Sequence, residues 1–281
     1  MPNFESCSLS FPSSFAQVIL RKPLKNEKPC VSWFIGDSLL FKSWDLQKNL
    51  SLVWDVQRTT IIGNGNTFIS SPEHLSAALL LWHHLCIDIH VSEKTRELPL
   101  LDGSARDWLE HLRPRNPFSK ELLFYEIEES FRIDFSNGFC IVEPSDTFEV
   151  EYSLEQEGFS DSAFVSIYAP EDLISVLNAR TFIFENQFNK ALAQGLLAGV
   201  SENSGLLLRP VKKSEVQVLR NKKLRFEQEI LYHKVLDLVG DLSLFVQELP
   251  MAKIRIHNGG HIVHHQIFKR LVKYVHSRYP A

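Results

Sequence analysis

A row of polar side chains on an otherwise apolar helical segment constrains the fold of this chain more than any other feature. His233, Asp237 and Asp241 are spaced at i, i+4 and i+8, so they lie along one helical face among valines and leucines. Burying two carboxylates and an imidazole without partners costs several kcal/mol. A bound cation would remove that cost, since His-x-x-x-Asp can supply two metal ligands. A buried His–Asp hydrogen bond explains the same row, so the segment alone leaves both interpretations open.

The composition is that of an ordinary globular protein. Hydrophobic residues make up 44% of the 281 residues and charged residues 23%, which is enough chain for one large or two ordinary domains. The net charge of −4 gives no indication of nucleic-acid binding, and four scattered cysteines favour free thiols in a reducing compartment. Because the sequence has neither a signal-peptide pattern nor an apolar run near the roughly 20 residues of a membrane span, we expect a cytoplasmic protein without a membrane span.

The first half of the chain predicts a sheet followed by helices. Short β-prone runs, among them residues 50–56, alternate with turn clusters between residues 15 and 69. Ser71 can then cap a helix that has Pro72 in its first turn, and a second helix follows over residues 105–112. Strands that precede helices in this way are typical of a sheet with helices packed on it.

The second half repeats that order without repeating the sequence. Five strand-like runs fill residues 122–168, a helix follows over Pro170–Leu177, and a smaller unit occupies about 182–208. Two long helices, at 224–249 and 261–279, close the chain with a strand between them. We therefore predict an α+β fold of two domains, each a sheet covered by helices on one face.

The predicted domain boundary lies where two prolines and polar residues interrupt the periodicity, in Arg113-Pro-Arg-Asn-Pro117. The first domain would comprise residues 1–116 and the second residues 117–281. The polar row then belongs to the second domain.

A third metal ligand and two proton-transfer groups would complete a catalytic site. His74 is the best third ligand, because it lies in the first turn of a helix, and a catalytic zinc needs three protein ligands. Glu73 beside it could be a general base, although an acid favoured by the helix dipole explains Glu73 equally. His261, held by Asp241, could be a general acid toward a leaving amine. Any one of the 11 histidines, taken alone, is more often an ordinary surface residue.

Seven short motifs occur in order and with matching separations between about Thr59 and about Leu271. They are Pro72-Glu-His-Leu-Ser-Ala-Ala78, Glu97-Leu-Pro-Leu-Leu-Asp-Gly-Ser-Ala105, Ala179-Arg-Thr-Phe182, Leu224-Arg-Phe-Glu-Gln-Glu229, His233-Lys-Val-Leu-Asp237, Gly240-Asp241 and Gly260-His261. Together they resemble the zinc-dependent UDP-3-O-acyl-N-acetylglucosamine deacetylases that commit sugar nucleotides to lipid A synthesis in Gram-negative bacteria. The resemblance implies two α+β domains with the active site between them, and hydrolysis of an acetamide with Zn²⁺ as the cofactor.

The resemblance also implies a role for individual catalytic residues. The implied zinc ligands are His74, His233 and Asp237. Glu73 would act as the general base, and His261, supported by Asp241, as the general acid. Thr181 would help to stabilise the tetrahedral oxyanion.

The substrate-binding residues follow from the same resemblance. Lys234 would meet the polar head of an acylated UDP-amino sugar, and the unit at about 182–208 would be an insert that forms an apolar passage for the acyl chain. The insert residues proposed as contacts are Phe182, Leu192 and Gly195. Ordinary core packing explains apolar residues there equally well. We expect the protein to be a monomer that binds no nucleic acid.

The chain departs from the family's pattern in segments that bind the nucleotide. Residues 1–30 lack the glycine-rich G-x-G-L-H-S-G turn, residues 135–138 lack a hairpin lysine, and residues 155–158 replace an Asp-His-Pro turn. Arg132 or Lys212 would have to compensate, because a diphosphate normally recruits cations. The alternatives to a UDP-sugar deacetylase are a paralogue acting on another acylated amino sugar and a non-catalytic zinc-binding relative. Binding alone would not need both proton-transfer residues, which disfavours the last.

Overall fold

The computed structural model describes residues 3–6, 8–43, 53–55, 59–64 and 66–276. The strand predicted at 50–56 and the end of the helix predicted at 261–279 lie partly outside these residues. The strands are β1 (Asn3–Ser6), β2 (Ser14–Arg21), β3 (Val31–Ile35), β4 (Ser38–Lys42), β5 (Val53–Asp55), β6 (Ile61–Asn64), β7 (Thr67–Ser70), β8 (Cys86–Val91), β9 (Phe124–Glu126), β10 (Phe131–Phe135), β11 (Gly138–Pro144), β12 (Phe148–Gln156), β13 (Phe159–Ile167), β14 (Phe182–Phe184), β15 (Leu206–Lys212), β16 (Glu215–Val218) and β17 (Leu249–His257). The helices are α1 (Glu73–Leu79), α2 (Arg106–Leu112), α3 (Pro170–Leu177), α4 (Glu185–Ala193), α5 (Glu229–Ser243) and α6 (His261–His276), and a 3-10 helix spans Leu80–Trp82.

Two larger sheets divide the chain. The first has the order β1-β2-β8-β3-β4 and draws every strand from the first half of the chain, and the second has the order β10-β11-β17-β12-β13 and draws every strand from the second half. A small sheet of β5, β6 and β7 accompanies the first. This mixture of sheets and helices confirms the predicted α+β class. The boundary near residue 116 stays a prediction.

The second sheet carries the helix of the polar row. Residues of β12 and β17 alternate between buried and more exposed positions, because successive side chains of a strand point to opposite faces. The buried side chains include Val150, Tyr152, Ile254 and Ile256. Helix α5 packs against β12, β13 and β17, so its apolar residues have a core to enter.

Helix α5 is shorter than the sequence predicts. It spans Glu229–Ser243 rather than residues 224–249. The carboxylate of Glu229 accepts hydrogen bonds from the backbone N–H groups of Arg180 and Arg225 at 3.2 and 2.6 Å. The chain before Glu229 therefore turns back onto that carboxylate instead of continuing the helix, and at the other end the chain enters β17 at Leu249.

The predicted cap of α1 is wrong. Pro72 occupies the N-cap position without a side-chain cap, and Ser71 has a φ of 61°, outside the helix. The hydroxyl of Ser71 instead accepts a hydrogen bond from Thr59 at 3.1 Å. The helix still begins at Glu73, so the neighbouring His74 lies in its first turn as predicted.

The insert is a separate β-α-β unit that is longer than predicted. Strand β14 pairs with β15 in parallel, helix α4 connects them, and β16 adds an antiparallel strand that extends the unit to Val218 rather than 208. Buried residues of its strands, such as Phe184 and Leu208, pack against Phe159 and Leu231. The insert thus rests on the end of the second sheet and the start of α5. Among the described residues, none of the helices combines the length and the hydropathy needed to cross a membrane.

Candidate metal centre

A glycine brings the two ligand-bearing helices together. Helix α1 crosses α5 at Gly240, where a Cβ atom would lie only 2.1 Å from the backbone carbonyl oxygen of Glu73. Any side chain at this position would hold the helices apart. The close approach places His74 of α1 opposite His233 and Asp237 of α5, so the site combines residues from both halves of the chain.

The three predicted ligands converge on one point. Their nearest ligand atoms all lie within 4.8 Å of one another. The side chains of His233 and Asp237 are buried, and that of His74 is 13% exposed. Oδ1 of Asp237 is 3.5 Å from Nε2 of His74 and 3.3 Å from Nε2 of His233. Tetrahedral ligands about 2.1 Å from a zinc ion are spaced about 3.4 Å apart, so the arrangement fits a single ion of this size.

Neighbouring groups fix the chemical state of the ligands on α5. The carbonyl oxygen of Ala179 accepts a hydrogen bond from Nδ1 of His233 at 3.2 Å, which leaves Nε2 to face the site. Burial lowers the pKa of His233 to about 3, so the imidazole is neutral and can ligate. Lys234 donates to Oδ2 of Asp237 at 2.6 Å. Burial would raise the pKa of Asp237, but the groups around it, including the ammonium group of Lys234, have the larger effect and hold that pKa well below its usual value.

Glu73 has one free carboxylate oxygen beside the three ligands. Its Oε1 accepts a hydrogen bond from Thr59 at 2.7 Å, while Oε2 is buried and has no partner among the described residues. Burial raises the pKa of this carboxyl group, as expected for a group that must accept a proton. A buried carboxylate oxygen without a donor marks the place of an additional polar group.

Asp241 connects the end of the polar row to helix α6. Its Oδ2 accepts hydrogen bonds from Nδ1 of His261 at 2.7 Å and Nδ1 of His264 at 2.8 Å. Its Oδ1 accepts one from Thr60 at 2.6 Å. Burial alone would lower the pKa of His261. The carboxylate of Asp241 has the larger effect and raises that pKa to about 9. His261 is therefore protonated at neutral pH, with Nε2–H available as a donor.

Thr181 is held by backbone hydrogen bonds on both sides. Its N–H donates to the carbonyl of Gly103 at 2.6 Å, and its own carbonyl accepts from Leu206 at 2.8 Å. The adjacent Arg180 forms a buried ion pair with Glu229 at 2.7 Å. The side chain of Thr181 lines the same cavity as the ligands, and a hydroxyl in this position can donate to an oxyanion.

One cavity of about 650 Å³ joins the metal centre to the insert. Its polar end is formed by Glu73, His74, His233, Asp237 and His261. Its apolar wall includes Phe182, Ile183, Phe188, Leu197, Val200 and Leu206. Such a cavity can hold a molecule with a polar head and an apolar tail.

The sequence model of the UDP-3-O-acyl N-acetylglycosamine deacetylase family matches residues 33–273. The chain belongs to this family. It is 30% identical to the UDP-3-O-acyl-N-acetylglucosamine deacetylase of Aquifex aeolicus, over 76% of this chain and 73% of that protein. It is 28% identical to those of Synechocystis, over 84% of this chain and 87% of the relative, and of Helicobacter pylori, over 84% and 81%. The predicted family is confirmed, and with it the prediction that the chain is an enzyme.

Two of the predicted substrate contacts do not reach the cavity of the deacetylase. Phe182 and Lys234 line it, but Leu192 is 48% exposed on α4, and neither it nor Gly195 is part of the wall. Near Leu192, the cavity is lined instead by Ala191 of α4 and by Gln194, which follows the helix. Only one side of helix α4 faces the cavity, and the apolar composition of the insert does not show which side that is.

Neither of the two residues suggested as a replacement for the missing lysine lines the cavity described here. Arg132 is exposed, pairs with Asp134 and does not line the cavity, and Lys212 is exposed beside Glu215. Gln156, from the segment that replaces the Asp-His-Pro turn, does line it. The monomeric state, the cytoplasmic location and the absence of nucleic-acid binding stay predictions.

Sequence reasoning missed several residues that position the deacetylase site. Thr59 and Thr60 bind Glu73 and Asp241, and their signal was a Thr-Thr pair at the start of the segment that carries the seven motifs. His264 is fully buried. The sequence has several histidines close together here and gives no reason to single out His264 as the buried one. Its i+3 spacing from His261 was the available signal, because this spacing places both on one helical face.

Proposed function

We propose that this deacetylase removes the N-acetyl group of UDP-3-O-acyl-N-acetylglucosamine, the committed step of lipid A biosynthesis, with one zinc ion held by His74, His233 and Asp237. The observation that carries the proposal is the single cavity that joins a buried set of metal ligands to an apolar insert. The relatives in Aquifex aeolicus and Synechocystis are UDP-3-O-acyl-N-acetylglucosamine deacetylases, which supports this substrate. A carboxylate and two imidazoles are a donor set that suits zinc.

The zinc ion would polarise the acetamide carbonyl and lower the pKa of the attacking water toward about 7. Glu73 accepts the proton of that water at Oε2, the oxygen that no described donor occupies. The hydroxyl of Thr181 donates to the oxyanion that develops on the acetyl carbonyl. Because the site is buried, these interactions are stronger than they would be in water.

His261 completes the reaction by protonating the departing nitrogen. The amine is a poor leaving group without that proton, and the raised pKa of about 9 keeps His261 charged at neutral pH. Its Nδ1–H is committed to Asp241, so Nε2–H is the proton that is transferred. Asp241 thereby fixes the orientation of the acid.

The two ends of the substrate have chemically matching surroundings. Lys234 uses one N–H on Asp237, and an ammonium group has two more to offer to the polar head. The acyl chain enters the apolar part of the cavity under the insert, where Phe182 and Phe188 contribute to the wall. Burying the chain there removes apolar surface from water, which favours binding.

The test is acetate release from UDP-3-O-acyl-N-acetylglucosamine, combined with a zinc determination. We expect about one zinc per chain. Glu73→Gln should lower kcat by roughly 10²- to 10⁴-fold while the zinc is retained. Glu215→Gln, an exposed carboxylate on the insert, is the matched control and should leave both quantities unchanged.

The possible results separate the parts of the proposal. A metal-free protein that cannot be reloaded contradicts the ligand assignment, and full activity of the Glu73 variant contradicts the general base. Zinc-loaded wild type that is inactive on every UDP-sugar but active on an acylated amino sugar without the diphosphate would point to the paralogue.

A further inference from the structure

A short turn at the N-terminus forms part of the wall of the substrate cavity. The backbone N–H of Ser8 donates to the carbonyl of Phe11 at 2.9 Å, and the hydroxyl of Ser8 accepts from the N–H of Phe11 at 3.2 Å. Between them, Leu9 lines the cavity. The glycine-rich turn typical of the family is absent from this part of the chain, so the wall here is a feature of this sequence.

The turn is in direct backbone contact with the insert. The N–H of Gly199 donates to the carbonyl of Leu9 at 3.3 Å. A Cβ atom on Gly199 would lie 2.3 Å from the carbonyl oxygens of both Ser8 and Phe11, so only glycine permits this packing. The neighbouring Val200 lines the cavity together with Leu9. The turn and the insert therefore close the cavity jointly.

A buried carboxylate anchors the turn. Glu97 is 3% exposed, and its Oε2 accepts hydrogen bonds from the hydroxyl of Ser8 at 2.8 Å and the N–H of Ser10 at 3.2 Å. Its Oε1 lies 3.5 Å from the hydroxyl of Ser71, two residues before Glu73. A buried carboxylate requires such donors, and the turn provides two of them. Glu97 thus ties the turn to the segment that starts α1.

We propose that Leu9 is a specificity-determining residue that limits the length of the acyl chain, and that Glu97 is a positioning residue that holds Leu9 against the insert. The inference rests on the proposed function, because it assumes that the cavity receives the acyl chain. Leu9 lines the cavity where the turn meets the insert, so a larger or smaller side chain there would change the space available to the acyl chain. Differences of one or a few methylenes in such a pocket change kcat/KM by roughly 10- to 200-fold.

The experiment compares kcat/KM over a panel of UDP-3-O-acyl-N-acetylglucosamines with short to long acyl chains. Leu9→Trp should lower kcat/KM for the longest substrate that wild type accepts, relative to the shortest, by on the order of tenfold or more. Leu9→Ala should raise the same ratio. Leu24→Ala is the control, because Leu24 is 73% exposed and does not line the cavity.

Two variants of the anchor test the positioning role. Ser8→Ala and Glu97→Gln should both flatten the dependence of kcat/KM on chain length, through KM rather than kcat, because the wall is displaced and the metal centre is not. Leu9→Met should keep the wild-type dependence of kcat/KM on chain length, since the two side chains have similar volumes. A change by the same factor at every chain length, in all the variants of Leu9, would overturn the inference.

Calorimetric binding of the same panel separates this inference from the proposed function. The titrations use wild type and Leu9→Ala, the smaller substitution, so that the test does not depend on the folding of Leu9→Trp. If wild type releases no acetate from any substrate, the proposed function fails. The inference is then upheld by a Kd profile over acyl lengths that shifts in Leu9→Ala, and overturned by one that does not.

Discussion

The contact between helices α1 and α5 can be tested by adding one methyl group. In Gly240→Ala, the new Cβ would lie 2.1 Å from the carbonyl oxygen of Glu73 and 2.6 Å from its carbonyl carbon. Ordinary contacts begin near 3.4 Å, so the helices must separate by roughly 1.3 Å. That displacement carries His74 away from the two ligands on α5.

The expected effects on stability and on activity differ in size. Alanine gains about 1 kcal/mol of helix propensity over glycine, and overpacking costs about 1–3 kcal/mol, so the net destabilisation is about 0–2 kcal/mol. A misplacement of about 1 Å costs roughly 100-fold in rate, and metal sites tolerate only about 0.2 Å in ligand distances. Gly240→Ala should therefore remain folded but lose most of its zinc affinity and activity.

Three measurements on the same preparation check this prediction. They are urea unfolding, zinc competition with a chelator, and acetate release. Gly260→Ala is the control for zinc binding, because its Cβ would meet nothing within 4 Å. Wild-type zinc affinity and wild-type turnover in Gly240→Ala would show that backbone contact at this glycine does not set the ligand geometry.

The remaining predictions concern a proton and an ion pair. His261 must be protonated to act as an acid, so kcat/KM should fall as the pH rises through about 9, and Asp241→Asn should move that fall to lower pH. An unchanged pH profile in Asp241→Asn would contradict the pairing. Arg180→Met leaves the fully buried carboxylate of Glu229 without its guanidinium and should cost about 3–5 kcal/mol in urea unfolding. Arg209→Met, which breaks an exposed pair on the insert, should leave the unfolding midpoint nearly unchanged, and equal losses in both variants would show that burial is not the cause.

The metal centre shows how the two halves of the chain depend on each other. One half supplies Glu73 and the ligand His74, and the other supplies the ligands His233 and Asp237. An ion pair between Asp102 and Arg225 at 2.5 Å also joins the halves beside Thr181. If the two halves moved apart at the metal centre or at this ion pair, groups that act on the same substrate atom would be separated. We therefore expect catalysis to be more sensitive than folding to changes at this interface.

Local periodicity was sufficient to predict most helices and strands, because it reports which face of a segment enters a core. Helix α3 begins and ends as predicted, at Pro170 and Leu177. Helix α5 was predicted about ten residues too long. At its start the chain turns back onto the carboxylate of Glu229, which also binds the distant Arg180, and at its end the chain enters β17. Neither event leaves a local pattern in the sequence. The cap at Ser71 failed for a related reason: its hydroxyl has a partner in Thr59.

The polar row, the family and the residue types of the metal centre could all be predicted from the amino-acid sequence, since spacings of three and four along a helix already place side chains on one face. Which of these groups meet depends on how the helices and sheets pack. Thr60 and Asp241 are 181 positions apart in the chain but share a hydrogen bond, and Leu9 reaches the insert only because Gly199 has no side chain. Contacts of this kind depend on how sheets and helices pack, and no short-range pattern encodes the distance between two packed surfaces.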